Sequence, residues 1–227
     1  MINVVCVWAG TAYTADYVQR LSSEVHSKTT EPVRFVCFTD AHREPISGVE
    51  FRQMPAMVFH GNKLWWYKIY LFSEESGLTG DCLYFDLDVM LLKPIDPLLT
   101  HAGDFVILQD FNRAFISNYK VSNSSVIKWK HERCRYIWDM FKSQIHEWTT
   151  KFRGDQDYIT KVVAGNKLWW PADYACSFKW EWLEKPQYQD PIVLVFHGEP
   201  KPESYNFDIE KIRNDKLNRL SKNKVQR

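Results

Sequence analysis

The feature that most constrains this chain is a set of apolar runs that do not alternate with polar residues. INVVCVW at 2–8, VRFVCFTD at 33–40 and CLYFD at 82–86 are hydrophobic on nearly every consecutive residue. Neighbouring side chains of a strand point to opposite faces, so such runs predict strands covered on both sides. Between the first two lies TADYVQRLSSEVHSK, where Tyr17, Leu21 and Val25 recur every four residues and form one helical stripe. VEFRQM at 49–54 alternates like a short third strand, and KLWWYKIYLFSEES at 63–76 reads as a helix. Strand and helix patterns taking turns predict an α/β fold with a mixed, mostly parallel sheet flanked by helices. The later half is less regular. DFVILQ at 104–109 and PIVLVFHG at 191–198 read as strands, residues 132–148 place Ile137, Phe141, Ile145 and Trp148 on one helical face, and DQDYITKVVAG at 155–165 reads as a short helix ended by Gly165. The hexapeptide GNKLWW occurs at 61–66 and again at 165–170, but nothing around the two copies matches, which points to coincidence rather than duplication.

A chain of 227 residues, 45% of them hydrophobic, suits a single domain, here expected over 1–207. Residues 208–227 hold seven Lys or Arg against three acids and read as a solvated basic helix or tail, with at most weak contact to an anionic membrane surface. The net charge of +1 excludes a general electrostatic pull towards nucleic acid. The five cysteines are scattered, without a CxxC pair, and several lie inside apolar runs, which predicts free thiols in a reducing compartment. The first residues read as a strand rather than a signal peptide, and no apolar stretch approaches the roughly 20 residues of a membrane span. The expectation is a soluble cytoplasmic protein.

One strand ends in a way that a buried strand should avoid. CLYFDLDVMLLKPID places Asp86 and Asp88 two residues apart where the apolar run comes to the surface. On extended backbone both side chains face the same way. Ligands bind parallel sheets beyond the carboxyl ends of their strands. Two adjacent carboxylates repel unless a cation lies near them, and a hard divalent ion meets that need. Asp is also common where a strand turns, so the pair alone leaves function and turn-capping about evenly balanced. One functional reading is an ion held on the diphosphate of a sugar nucleotide. Another is the nucleophile loop of a haloacid-dehalogenase-type phosphohydrolase, which FDLDVML resembles locally. That loop belongs on a first strand, whereas here it follows some 80 residues of α/β chain.

Four segments in order resemble the GT-A fold glycosyltransferases, in particular glycosyltransferase family 8, the glycogenin and lipopolysaccharide galactosyltransferase group. VVCVWAGTAYTADYV resembles the first strand and nucleotide-binding turn, with Tyr13 at the position of the tyrosine that packs on the base. YKIYLF before CLYFDLDVML resembles the helix, basic residue and D-x-D strand, which makes Lys68 a donor contact. SNSSVIKW resembles the segment beside the donor sugar and implies Asn123 and Ser125 there, Ser125 replacing a usual glycine. GDQDYIT and FHGEPKP resemble the family's DQD helix start and closing HxxGxxKP motif. Where the pattern has its metal-binding histidine this chain has Val195. His197, two residues on, would face the same way on an extended strand.

The resemblance implies a metal-dependent enzyme that moves a sugar from a nucleotide-sugar donor, a UDP-sugar being expected, to a hydroxyl acceptor such as a glycan or lipopolysaccharide. Mn²⁺ or Mg²⁺ would be held by Asp86, Asp88 and His197, and Lys201 would lie against the phosphates as a point charge. Asp155, Gln156 and Asp157 are the polar candidates at the reaction centre, although an Asp there can simply cap the helix. Transfer with retention would use Gln156 or Asp157 to stabilise the transition state, and inversion would use an aspartate as general base. The Trp-rich segments at 63–70 and 167–182 are candidate walls for the acceptor cleft. A sugar- or nucleotide-binding protein without activity is the non-enzymatic alternative.

Overall fold

The computed structural model describes residues 1–184 and 191–225. Its centre is a seven-stranded sheet built from β1 (Ile2–Trp8), β2 (Val33–Thr39), β3 (Glu50–Gln53), β4 (Asp81–Phe85), β6 (Phe105–Gln109), β7 (Ser122–Lys130) and β8 (Leu168–Trp169), in the order β3-β2-β1-β4-β7-β6-β8. β1 runs parallel to β2 and β4, β2 to β3, and β6 to β8, while β7 alone is reversed against both neighbours. The carboxyl ends of β1, β2, β4 and β6 therefore share one edge with the amino end of β7. A second sheet of β5 (Val89–Leu91), β10 (Val193–Val195) and β9 (Ala175–Ser177) continues from the D-x-D turn.

The unbroken apolar runs serve two cores at once. Val4 and Cys6 of β1, Phe35 and Cys37 of β2, and Leu83 and Phe85 of β4 face a layer that includes α1 (Ala15–Ser27) and the short α2 (Asp96–Leu99). Val5, Val36, Phe38, Cys82 and Tyr84, their sequence neighbours, face the opposite layer. Tyr17, Leu21 and Val25 of α1 are buried, as their spacing predicts. A third cluster joins β9 and β10 to α7 (Ile209–Val225) through fully buried Ile212, so the expected basic segment is a helix anchored at its start. The last two residues of that segment lie outside the described residues. All five cysteines are buried and free. No helix among the described residues is long and apolar enough to cross a membrane.

Three predicted helices take another form. Residues 64–72 coil as a 3₁₀ helix rather than an α-helix, with every residue from Trp66 to Phe72 buried. An α-helix at a surface keeps one face for water, but LWWYKIYLF has no polar stripe to offer. It packs on all sides, against α4 (Tyr136–Lys142) and α6 (Asp155–Val162) among others, and Trp66 stacks on Phe141 with centroids 5.5 Å apart. The helix expected over 132–148 is broken into α3 (His131–Cys134), α4 and α5 (Ile145–Lys151). Ile137 and Phe141 are buried as expected, while Ile145 and Trp148 are half-buried against the same core. α6 stops at Val162, short of Gly165.

Candidate active site

The shared carboxyl edge holds a cavity of about 540 Å³. That size lies within the range of small-molecule sites. Of the residues singled out in the sequence, Tyr13, Lys68, Asp86, Asp88, Ser125, Asp155 and Gln156 line it. Lys201 reaches its wall through Asp88. Asn123, Asp157 and His197 do not line it.

The floor is fixed by the turn after β1. Gly10 has φ +70°, a left-handed conformation that glycine adopts without a side-chain clash. A Cβ there would run into the Leu64 side chain. The Gly10 N–H donates to Asp40 Oδ2 at 2.8 Å, Arg43 donates to Gly10 O, and Trp8 Nε1 donates to the carbonyl of Tyr13. The aromatic side chain of Tyr13 is thereby delivered to the D-x-D turn, where its hydroxyl donates to Asp88 Oδ2 at 3.0 Å.

β4 carries the first carboxylate directly. Tyr84 and Asp86 are two apart and face the same layer, and the Tyr84 hydroxyl donates to Asp86 Oδ1. The Asp86 N–H still pairs with Ser125 O, while Arg20 donates to Leu87 O and pins the turn. Asp88 follows on the cavity side and its carbonyl accepts from Phe196, opening the second sheet.

Each aspartate has its own lysine. Lys68 Nζ lies 3.0 Å from Asp86 Oδ1 and 3.1 Å from Asp155 Oδ2, and it donates to Ser124 Oγ at 2.9 Å and to Ser124 O. Ser124 in turn donates to Asp155. Burial alone would push the Lys68 ammonium down, but the Asp155 and Asp86 carboxylates outweigh it and hold its pKa above the usual lysine value. Lys201 pairs with Asp88 Oδ2 at 2.5 Å. Burial, then the neighbouring Asp86 charge, raises the Asp88 pKa, against the opposing pull of Lys201 and Tyr13. Burial and the Asp88 and Asp86 charges keep the Tyr13 hydroxyl protonated well beyond its ordinary range.

Asp155 and Gln156 open α6 behind an extended Gly154, whose backbone approaches Trp65 so closely that a Cβ would sit 2.9 Å from Trp65 Nε1. Gln156 donates through Nε2 to Asp110 Oδ2 at 2.9 Å. Asp157 is turned away and pairs with Arg153 at 3.0 Å, an (i, i+4) contact on the helix surface. Asn123 folds its Oδ1 back onto the Ser125 N–H. His197 lies past the end of β10. Its Nε2 is 2.6 Å from Ser177 Oγ, and its ring stacks on Phe111 and meets Trp180 edge-on. Val195 itself is fully buried and paired between β5 and β9.

Two residues of this network are absent from the sequence reading. Ser124 sits between the two serine-segment residues that were singled out. Asp110 follows β6 as Asp86 follows β4, and that shared strand-end position is the signal that finds it.

The donor set fits a hard divalent ion through two ligands rather than three. Asp86 Oδ2 and Asp88 Oδ1 accept from no protein group among the described residues, and both side chains line the cavity. Such ions are commonly held by one or two carboxylates, with substrate phosphates completing the shell. No group of three or more His, Cys, Asp or Glu side chains among the described residues is arranged to hold one, so the third predicted ligand, His197, is not brought to the pair.

No protein-family model matches the sequence, and no curated protein matches it. Solved structures do share its architecture. The galactosyltransferase LgtC, crystallised in complex with donor and acceptor sugar analogs, aligns over 95% of this chain and 95% of its own, with TM-score 0.69 at 16% identity. The glycosyltransferase GlyE of Streptococcus pneumoniae TIGR4 aligns over 89% of this chain and 56% of its own, with TM-score 0.63 at 11% identity. The bifunctional glycosyltransferase WbbM covers 96% of this chain, which spans 49% of WbbM, with TM-score 0.63 at 10% identity. The chain has the GT-A fold of these glycosyltransferases, and its likeness to LgtC extends over nearly the whole length of both chains.

Proposed function

We propose that this protein is a nucleotide-sugar-dependent glycosyltransferase that moves a sugar from a UDP-sugar to a hydroxyl of a glycan or similar acceptor. The observation that carries the reading is the cavity at the carboxyl edge, into which two aspartates, each paired with its own lysine, project beside Gln156. Such an arrangement suits a ligand with a diphosphate at one end and a neutral polyol at the other. LgtC, of the same fold, was crystallised with donor and acceptor sugar analogs, and an active-site glutamine of LgtC was changed to glutamate in another structure.

In this reading the nucleoside lies over the turn that carries Tyr13, and the diphosphate lies against Asp86, Asp88 and Lys201. Mn²⁺ or Mg²⁺ would be held by Asp86 Oδ2 and Asp88 Oδ1, supplying a Lewis acid for the leaving diphosphate. Lys201, released from Asp88, becomes a second positive charge on the phosphates. Lys68 cannot leave its site without stranding the buried Asp155 and the half-buried Asp86. It therefore holds Asp86 and Asp155 in place, and the outward atoms of Asp155 and Ser125 face the sugar hydroxyls. In the transfer step the bond between the anomeric carbon and the phosphate oxygen breaks with its electron pair on the diphosphate. The acceptor oxygen bonds to that carbon, and its proton passes to the departing diphosphate. Positive charge gathers on the sugar in between, and the Gln156 amide oxygen is the cavity group suited to face it.

The test is a thermal-shift panel of nucleoside diphosphates and sugar nucleotides with and without manganese, followed by donor-hydrolysis assays on the hits. A ligand bound only by the folded state raises stability as RT ln(1 + [L]/Kd), about 2.7 kcal/mol at one hundred times Kd. UDP with manganese is expected to raise Tm more than either alone, and Asp88→Ala to remove the synergy. Absence of any response across the panel overturns the proposal.

A further inference from the structure

We infer that Asp110, outside the D-x-D and DQD segments, is a positioning residue that fixes which end of the Gln156 amide faces the sugar; the inference rests on the glycosyltransferase reading above. Asp110 is the first residue beyond β6 and is only 7% exposed. Its carboxylate is fully engaged. Oδ1 accepts from the Asn112 N–H at 2.9 Å and from Asn112 Nδ2 at 2.7 Å, and Oδ2 accepts from Gln156 Nε2 at 2.9 Å.

A carboxylate has no hydrogen to give, so only the nitrogen end of the glutamine amide can face it. The other end, Oε1, is then directed away from Asp110. Gln156 lines the cavity, and no protein donor among the described residues reaches Oε1. The amide oxygen, carrying partial negative charge, is thus the free end at the reaction centre. A flipped amide would aim two N–H groups, with partial positive charge, at a carbon that becomes electron-poor as the diphosphate departs. The hydrogen bond to a charged acceptor also polarises the amide and enriches its oxygen.

The geometry makes the replacement by asparagine informative. In Asp110→Asn the new amide oxygen keeps the two Asn112 donors, because both use one oxygen in the native protein. The new amide nitrogen then faces Gln156, which can meet it only with Oε1. The Gln156 amide turns over and its nitrogen enters the cavity. Gln156→Glu in that background restores an oxygen to the cavity, since a carboxylate presents oxygen at either end. In the presence of native Asp110, by contrast, the same glutamate sets two carboxylates against each other.

The experiment compares wild type, Asp110→Asn, Gln156→Glu and the double variant by donor turnover, UDP affinity and melting temperature. Asp110→Asn is expected to lower kcat about 100-fold, in line with the loss of one preorganised polar contact to the transition state. KM for the donor and Tm should stay close to wild type. The double variant should recover at least tenfold over Asp110→Asn, and the side-chain amide resonances of Gln156 should shift between wild type and Asp110→Asn in ¹⁵N NMR. Full activity of Asp110→Asn, or a double variant no better than Asp110→Asn, overturns the inference while leaving the transferase intact. A wild-type protein that binds and turns over no sugar nucleotide overturns the transferase and the role of Asp110 together, even if the amide resonances shift.

Discussion

The two aspartates of the D-x-D turn are chemically alike and two residues apart, yet they belong to different kinds of structure. Asp86 is tied to Lys68, which comes from the buried 3₁₀ helix and also binds Asp155 at the start of α6 and Ser124 of β7. Four core elements meet at that one ammonium. Asp88 is tied to Lys201, a residue on the segment after β10, with 22% of the lysine side chain and 10% of the aspartate side chain exposed. The first pair is a joint of the fold, whereas the second is a latch between the D-x-D turn and a segment near the chain's end. One end of the cavity is thus preorganised, and the other can exchange its partner for a ligand phosphate.

Replacing the two lysines measures this contrast. Lys68→Met strands two carboxylates, Asp155 buried and Asp86 largely so, and breaking a buried pair from one side costs about 3–5 kcal/mol. Denaturant unfolding should show a loss of that size. Adding Asp155→Asn should return part of it, because the sites are in direct contact and do not add independently. Lys201→Met should cost less than Lys68→Met, since it strands one carboxylate rather than two and Asp88 keeps its bond from Tyr13. Its effect should also appear in binding. Hydrogen bonds to charged groups are worth about 1.5–3 kcal/mol, so UDP affinity by calorimetry should fall roughly ten- to 150-fold. Equal stability losses from the two replacements would abolish the distinction between joint and latch.

The joint was more legible in the sequence than the latch. Continuous apolar strands flanked by helical stripes imply a parallel sheet, and its carboxyl edge locates Asp86 and Asp88 without further information. The family resemblance points to Lys68, although LWWYKIYLF gives no hint that it winds as a 3₁₀ helix. What failed to show was local phase. The register of β6 on β7 shifts between Ile107 and Leu108, and the strand presents Ser124 to Lys68 and Asp155 beside Ser125 in the cavity wall, while Asn123 stays out of it. In DQD, the turn of α6 sends Asp157 to Arg153 and leaves Asp155 and Gln156 on the cavity side. Asp110 is marked only by its place at a strand end, and its partner is 46 residues away. Contacts of that range are set by how α6 docks on the sheet, which single-residue spacing does not encode.

His197 gives an effect confined to acid pH and bears on how firmly the latch is seated. Its ring lies nearly parallel to Phe111 at 5.4 Å, Trp180 closes its edge at 4.4 Å, and Ser177 Oγ sits 2.6 Å from Nε2. Ser177 Oγ already accepts from the Trp180 N–H, so its own hydrogen is free for an unprotonated Nε2. Burial first, and then the Lys179 charge, push the imidazole down to about 4 from its ordinary 6.5. Between those values the unfolded chain binds a proton that the folded ring refuses. Stability from this residue should therefore be complete above pH 6.5, decline as the pH falls towards 4, and level off below it. An NMR titration of the His197 ring should give a midpoint near 4, and His197→Asn should flatten the acid side of the stability profile over the same interval. A midpoint near 6.5 would mean a ring in water, with the segment from His197 to Lys201 unpacked, and Lys201 could then not serve as a latch on Asp88.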